Sequence, residues 1–449
     1  MKPMEIIDEL LNRIGNYDCL IDGEEVHLVG VLRRVKANII FQAQIELEHY
    51  RKLDILYDTL QFWGTVNGTP VTLMSVHCSR GSSSYGAKTV AIEFDPYEII
   101  IGRCYKDAPR VNAISASIIA LNHMFSSRPL DLIHDFSEDK PYLLKFTYPD
   151  KIEVDDQYGH LEIYQTFSQG WTRDEIKHSI VPIIEYRFNN TIGVMDAVGR
   201  IAAARNLFSF FANGYLPLEN IEFADDQSQK FEELAVCDIA LCLNHPEEIP
   251  LRDEPFLIMT SAFKDNFSQI WKSWLDMYEG AVPIPTLFYE IICNRSTRVN
   301  CFLNLVQAIE VYSNQYRGSE VEELARKREN TKQEKKPKIY LQYKLEDVFS
   351  SFNDCLEIAD GDIPILAHHI ADMRNFYTHY NSGRYVEPTY QEMFSANHVL
   401  RFVLLAIVYK TLGLSSEAII DARKRVEFQL YYKDIETILN YANDQGKES

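Results

Sequence analysis

The chain has 449 residues, 46% hydrophobic and 24% charged. That balance is ordinary for globular proteins, leaves room for two or three domains, and excludes a disordered or low-complexity chain. Its 65 acidic against 45 basic side chains give a formal net charge of −20, which argues against nucleic-acid binding spread over the whole surface.

Met1 to Arg13 is acidic and amphipathic, unlike a secretory signal with a basic start and an apolar core. The expected location is the cytoplasm. The 8 cysteines form no C-x-x-C pair, which fits reduced thiols rather than a disulfide or zinc framework. β-rich, partly alternating runs then predict strands at Val26–Leu32, Ile39–Leu47, Leu60–Val66, Val71–His77 and Val90–Phe94. Asn67-Gly68 reads as a tight turn, and the Ser/Gly-rich stretch Ser79–Gly86 as a loop without a P-loop ending. Further strands are expected at Tyr142–Phe146 and Gly159–Phe167. Helices follow at Thr191–Asn213, stopped by Gly214, and at Met259–Tyr278. Gly280, Pro283 and Pro285 break the pattern, and the domain boundary is placed there.

Beyond Pro285 only helical periodicity remains: 287–316, 345–359, 363–380, 391–412, and a fifth helix capped by Ser415 or Ser416 that runs to about Tyr441. Arg317–Lys338 between the first two reads as a solvated helix extension or a loop. The apolar run Val399–Tyr409 is too short to span a bilayer and reads as a buried helix. No membrane is expected as a partner. From Leu287 onward the chain carries 20 Lys+Arg and 23 Asp+Glu, a net of −3, so residues 1–286 hold −17. The acidity belongs to the N-terminal part, and the helical part is free to hold a local basic site.

The third of these helices contains Arg374-Asn375-Phe376-Tyr377-Thr378-His379. A guanidinium, a carboxamide and an imidazole within two turns suffice to bind a phosphodiester and move its protons. Asn375 and His379 are four apart and share a face, so the amide can orient the ring. Arg374 and His379 are five apart, about 140° around an ideal helix. They meet at one phosphate only if the helix frays near Tyr380 or a second subunit supplies the missing group. Glu310, inside the apolar run Leu305–Val311, either is buried and needs a partner, for which Arg374 is a candidate, or lies solvated at a rim. His368 and Asp372 have a metal-ligand spacing but no third ligand, so a satisfied polar face is the expected reading and no metal is assigned. His368-His369 could also line the same cleft. Lys335, Lys336 and Lys338, with Arg326-Lys327-Arg328 and Arg423-Lys424-Arg425, either contact RNA phosphates or are plain solvated surface.

From about residue 287 the chain resembles HEPN domains, and more closely the ApeA-type HEPN proteins of bacterial anti-phage defence. The residues that carry this are Arg374 to Tyr380, the helix Phe302–Tyr312 with its inward Glu310, and, in the N-terminal part, Gly30 with Phe41-Gln42-Ala43-Gln44. The resemblance implies an α+β chain. Residues 1–286 would form a β-rich, sandwich-like sensor or regulatory domain with some helices, and residues 287–449 an α-helical HEPN bundle. It implies a metal-independent endoribonuclease without a cofactor, built on Arg374, His379 and Asn375 with Glu310 and Tyr380 in support. The substrate would be host RNA, tRNA among the candidates. The trigger would be phage-derived, most naturally a protein, and the assembly a homodimer or a higher even oligomer. The competing expectation is a non-catalytic HEPN dimerisation scaffold with a ligand-binding N-terminal domain.

Overall fold

The computed structural model describes residues 3–35, 38–53, 60–82, 88–125, 130–134, 142–146, 151–171, 176–225, 232–236, 256–292, 297–330, 336–379, 386–425 and 428–448. The chain forms two compact units: residues 1–122, 127–205 and 217–252 make up the first, and residues 123–126, 206–216 and 253–449 the second.

The first unit is β-rich. After a short helix α1 (Pro3–Leu10) come β1 (Ile14–Ile21), β2 (Glu24–Val35) and β3 (Asn38–Glu46), helix α2 (Leu47–Lys52), then β4 (Leu60–Val66), β5 (Thr69–Ser82), β6 (Thr89–Asp95), β7 (Glu98–Ile101) and β8 (Arg110–Ser117). β9 (Leu130–His134) and β10 (Tyr142–Phe146) pair with each other alone. β11 (Ile152–Asp155), β12 (Gly159–Trp171), β13 (Ile176–Gly193), helix α3 (Val194–Ala212), β14 (Glu219–Asp225) and β15 (Glu232–Val236) complete the described elements, with the end of α3 counted in the second unit.

Apart from the β9–β10 pair, all these strands join one antiparallel sheet of 13 in the order β11-β12-β13-β8-β14-β15-β7-β5-β4-β1-β2-β3-β6. β5 is long enough to serve three neighbours. One edge pairs with β4, while the other pairs with β7 at Val71–Met74 and with β6 at His77–Ser82. Because β6 also pairs with β3, the strands β1-β2-β3-β6-β5-β4 close into a ring. The β-rich N-terminal part expected from the sequence is present, but its first strands form a closed barrel where a sandwich was pictured. Closure pairs the strand edges that a sandwich would leave open.

Strict alternation in β1 fills the barrel. Tyr17, Cys19 and Ile21 point in, while Ile14, Asn16 and Leu20 point out. Tyr17, Phe41, Phe62 and Phe94 are fully buried and stack as one aromatic cluster with centroid separations from 4.6 to 5.9 Å. Gly30 on β2 makes this packing possible. A Cβ there would lie 2.2 Å from a ring carbon of Phe41, so the ring occupies the place of the missing side chain. The predicted Asn67-Gly68 turn joins β4 to β5, with φ of 50° and 82° as a two-residue hairpin turn requires. Of the expected loop at Ser79–Gly86, residues 79–82 continue β5 and the remainder lies outside the described residues.

The second unit is helical. Two short 3₁₀ turns precede α4 (Phe267–Gly280), and Pro283 opens α5 (Pro283–Ile292) as a first-turn proline. Then come α6 (Arg298–Tyr316), α7 (Gly318–Arg328), α8 (Leu341–Ser351), α9 (Asn353–Leu356), α10 (Ile363–His379), α11 (Tyr390–Thr411), α12 (Ser416–Arg423) and α13 (Tyr431–Glu448). Three predicted helices are thus divided, and the stretch 345–359 is one of them, shared by α8 and α9. The stretch 287–316 belongs to α5 and α6, with Thr297 capping α6, and the fifth helix stops at Arg423 before α13 begins. Ser415 caps α12 by accepting a hydrogen bond from the Ala418 N–H, as its position suggested.

α11 runs through the interior. Val399, Leu400 and every residue from Phe402 to Tyr409 are buried. The helix packs on α6, α12 and α13. The Tyr409 hydroxyl donates to the Phe210 carbonyl at 2.5 Å, and Arg401 binds the side chain and carbonyl of Asn213 at 2.6 and 2.8 Å. By length and composition α11 could cross a bilayer, but 78% of its most apolar window is buried among other helices of the unit, which accounts for its hydropathy.

Candidate active site

α10 carries Arg374, Asn375 and His379. Its inner face, with Leu366, Ala367, Ile370, Met373 and Phe376 buried, packs on α8, α6 and α13. Two imidazoles near its start fasten it. His369 is buried and meets the Glu392 carboxylate at 2.7 Å, while exposed His368 lies 2.8 Å from the Gln342 side-chain oxygen and 3.3 Å from Asp372. Glu392 also closes the capping box of α11 with Thr389. Burial alone would push its carboxyl pKa up. The hydrogen bonds from His369 and from Thr389 outweigh this and hold it below the usual glutamate value. The neighbouring histidines of the sequence string thus do different work. His369 ties α10 to α11 from inside, and His368 belongs to a satisfied polar surface, so His369 does not line an open cleft.

This packing leaves the last turns of α10 facing outward. Arg374 and Asn375 are half-buried, whereas Thr378 and His379 are exposed. α10 stays helical to His379, so no fraying before that residue brings Arg374 and His379 together. Within one chain they point about 140° apart. Tyr380 and Lys335 lie outside the described residues.

The surroundings of Arg374 differ from the sequence expectation in two ways. Glu310 does not partner it. That half-buried carboxylate pairs with Lys344 at 2.7 Å, linking α6 to α8. Asn375 does not orient His379 either. Its side-chain oxygen accepts from Arg374 Nη1 at 3.4 Å, and no described residue hydrogen-bonds the His379 ring. Arg374 Nη1 also donates to Thr378 Oγ1 at 3.4 Å, and the Thr378 hydroxyl donates to the Arg374 carbonyl at 2.9 Å. No carboxylate among the described residues lies within ion-pair distance of the Arg374 guanidinium. Arg317, Arg326, Arg328 and Arg423, in contrast, meet Asp347, Glu322, Glu346 and Glu357.

Those pairs decide several surface candidates. Arg326 and Arg328 are neutralised on and beside α7, and Arg423 is buried against the carbonyls of Cys355 and Leu356 as well as Glu357, so it is structural. Lys336 and Lys338 are exposed, with no partner among the described residues. Among the described residues, the carboxylates and imidazoles close enough to share a cation are Glu46, Glu48 and His49, and Glu153, His160 and Glu162, all in the first unit.

α10 can therefore offer an anion a partly sheltered guanidinium with uncommitted charge, and offer a proton an exposed imidazole. Thr378 is the one residue of this arrangement that sequence reasoning passed over. Its spacing of four from Arg374 was the available signal.

A family model for the ApeA N-terminal domain 1 matches residues 20–274, and one for the Apea-like HEPN domain matches residues 303–418. The second match contains Glu310, Arg374, Asn375 and His379. No curated protein matches the chain. The solved structure of K. pneumonia MrkH in its apo state is matched at 11% identity over 42% of this chain and 84% of that one. Its TM-score of 0.18 is too low to carry an argument.

Proposed function

The chain belongs to the ApeA-like HEPN family, whose theme is nuclease action in anti-phage defence, and from that premise we propose that it is a metal-independent endoribonuclease that cuts host RNA when a phage is sensed. The observation that carries this reading is the Arg374 guanidinium, which among the described residues is held by its own helix through neutral oxygens alone, followed at the helix end by the exposed His379, whose ring no described residue hydrogen-bonds. A guanidinium in that state can bind a phosphate bidentately and stabilise the charge that builds on its oxygens. An imidazole can take the proton of the ribose 2′-hydroxyl as it attacks phosphorus, and a second can give one to the departing 5′-oxygen. Cation and proton carrier thus come from side chains, so the reaction does not call for a metal.

Because Arg374 and His379 diverge on one helix, the reading places the complete site between two chains. A twofold dimer presents two copies of each residue to one cleft. Asn375 belongs with the guanidinium, Tyr380 stands next in the string, and Lys335, Lys336 and Lys338 would extend the contact to RNA phosphates. Residues 1–286, with net charge −17, act as the sensor for a phage-derived trigger, and residues 287–449 as the effector, in the cytoplasm where the RNA is.

The expected products are a 2′,3′-cyclic phosphate and a 5′-hydroxyl, formed by the protein with its trigger in excess EDTA, with DNA resistant because it lacks the 2′-hydroxyl. Cleavage that stops on chelation and returns with magnesium would sink the mechanism. Light scattering is expected to read an even oligomer. A fully active monomer would contradict the shared site.

A further inference from the structure

We propose that Thr378 is a positioning residue for Arg374, an inference that rests on the ribonuclease reading of the same helix. Thr378 gains nothing by burial, since it is exposed, and a β-branched residue is a poor choice for the last turn of a helix. Its hydroxyl has a definite task instead. The O–H donates to the Arg374 carbonyl at 2.9 Å, which fixes the oxygen beside the helix, and the same oxygen accepts from Arg374 Nη1 at 3.4 Å. Asn375 Oδ1 accepts from the same nitrogen at 3.4 Å.

Two neutral acceptors therefore restrain one nitrogen of the guanidinium. Among the described residues nothing hydrogen-bonds Nε or Nη2, so the fork that grips a phosphate is left open. A carboxylate in the place of Thr378 would hold the side chain more firmly but would cancel the charge that recognises the anion. An apolar residue would leave the long arginine chain to find its rotamer afresh at each binding event. The hydroxyl is the choice that restrains without neutralising.

The test is binding of a fluorescent RNA oligonucleotide with 2′-fluoro riboses, which lacks the 2′-hydroxyl nucleophile and therefore stays intact during the measurement. Thr378→Val keeps the shape and removes the hydroxyl, and is expected to weaken binding by about threefold to tenfold, the range of one typical hydrogen bond. Thr378→Ser keeps the hydroxyl and should bind within about twofold of the wild type. In an Arg374→Ala background, Thr378→Val should change nothing further, because its effect passes through the arginine. If Arg374→Ala weakens binding but Thr378→Val does not, or if Ser fails as Val does, this inference falls and the phosphate grip stands. If Arg374→Ala binds like the wild type, the grip itself falls and the role of Thr378 falls with it.

Discussion

Among the described residues no carboxylate comes within ion-pair distance of the half-buried Arg374. Burying part of a guanidinium without a carboxylate costs stability, and four other arginines of the second unit have such a partner. The nearest structural counter-example is Glu392, where every charge is accounted for. Its carboxylate holds His369 and caps α11, and its pKa is held low, against the pull of burial, by those hydrogen bonds. A lowered folded-state pKa means that the stabilisation is present above the ordinary glutamate range and is lost as the pH falls through the lowered value. Glu392→Gln should therefore lower the melting temperature at neutral pH, by the equivalent of about 1–3 kcal/mol for a weakened cap and a buried imidazole left short of its charged partner. The gap from the wild type should narrow as the pH drops into the carboxylate range. Melting curves at neutral and acid pH check this, and a gap that stays constant would show that the charge of Glu392 does no work.

Among the elements, those with a strong internal period were legible and those defined by distant partners were not. The alternation of Val26–Leu32 and Ile39–Leu47 places β2 and β3 correctly, and the Asn67-Gly68 turn places the β4–β5 hairpin. The runs 363–380 and 391–412 match α10 and α11 to within about two residues. β1, β7, β8, β9, β11 and β13–β15 were missed. β7 is four residues, and β8 is buried at five successive positions, which erases alternation. Closure of the barrel was beyond sequence reasoning. It depends on β5 serving β7 and β6 along one edge and on Phe41 covering Gly30, relations between residues far apart in the chain. In the site, the string on α10 was legible because its chemistry is local. The partner of Glu310 was not, because Lys344 and Arg374 both carry a positive charge at neutral pH and only packing chooses between them.

For the whole molecule, the distribution of charge and of apolar surface bears on assembly. Val399, Leu400 and every residue from Phe402 to Val408 are buried within their own unit, so any face between chains must use other surface. The outward turns of α10 meet that requirement, with His379 exposed at their end. The division of charge, −17 before Leu287 and −3 after it, assigns most of the net negative charge to the proposed sensor and little to the part that would bind RNA. The measurement that tests the account most directly is RNA cleavage by His379→Ala in the presence of the trigger, read beside its thermal melting. The side chain is exposed at a helix end, so its removal should leave the melting temperature within about 1–2 °C of the wild type, and cleavage should be abolished. A folded His379→Ala protein that cuts RNA as the wild type does would contradict the account.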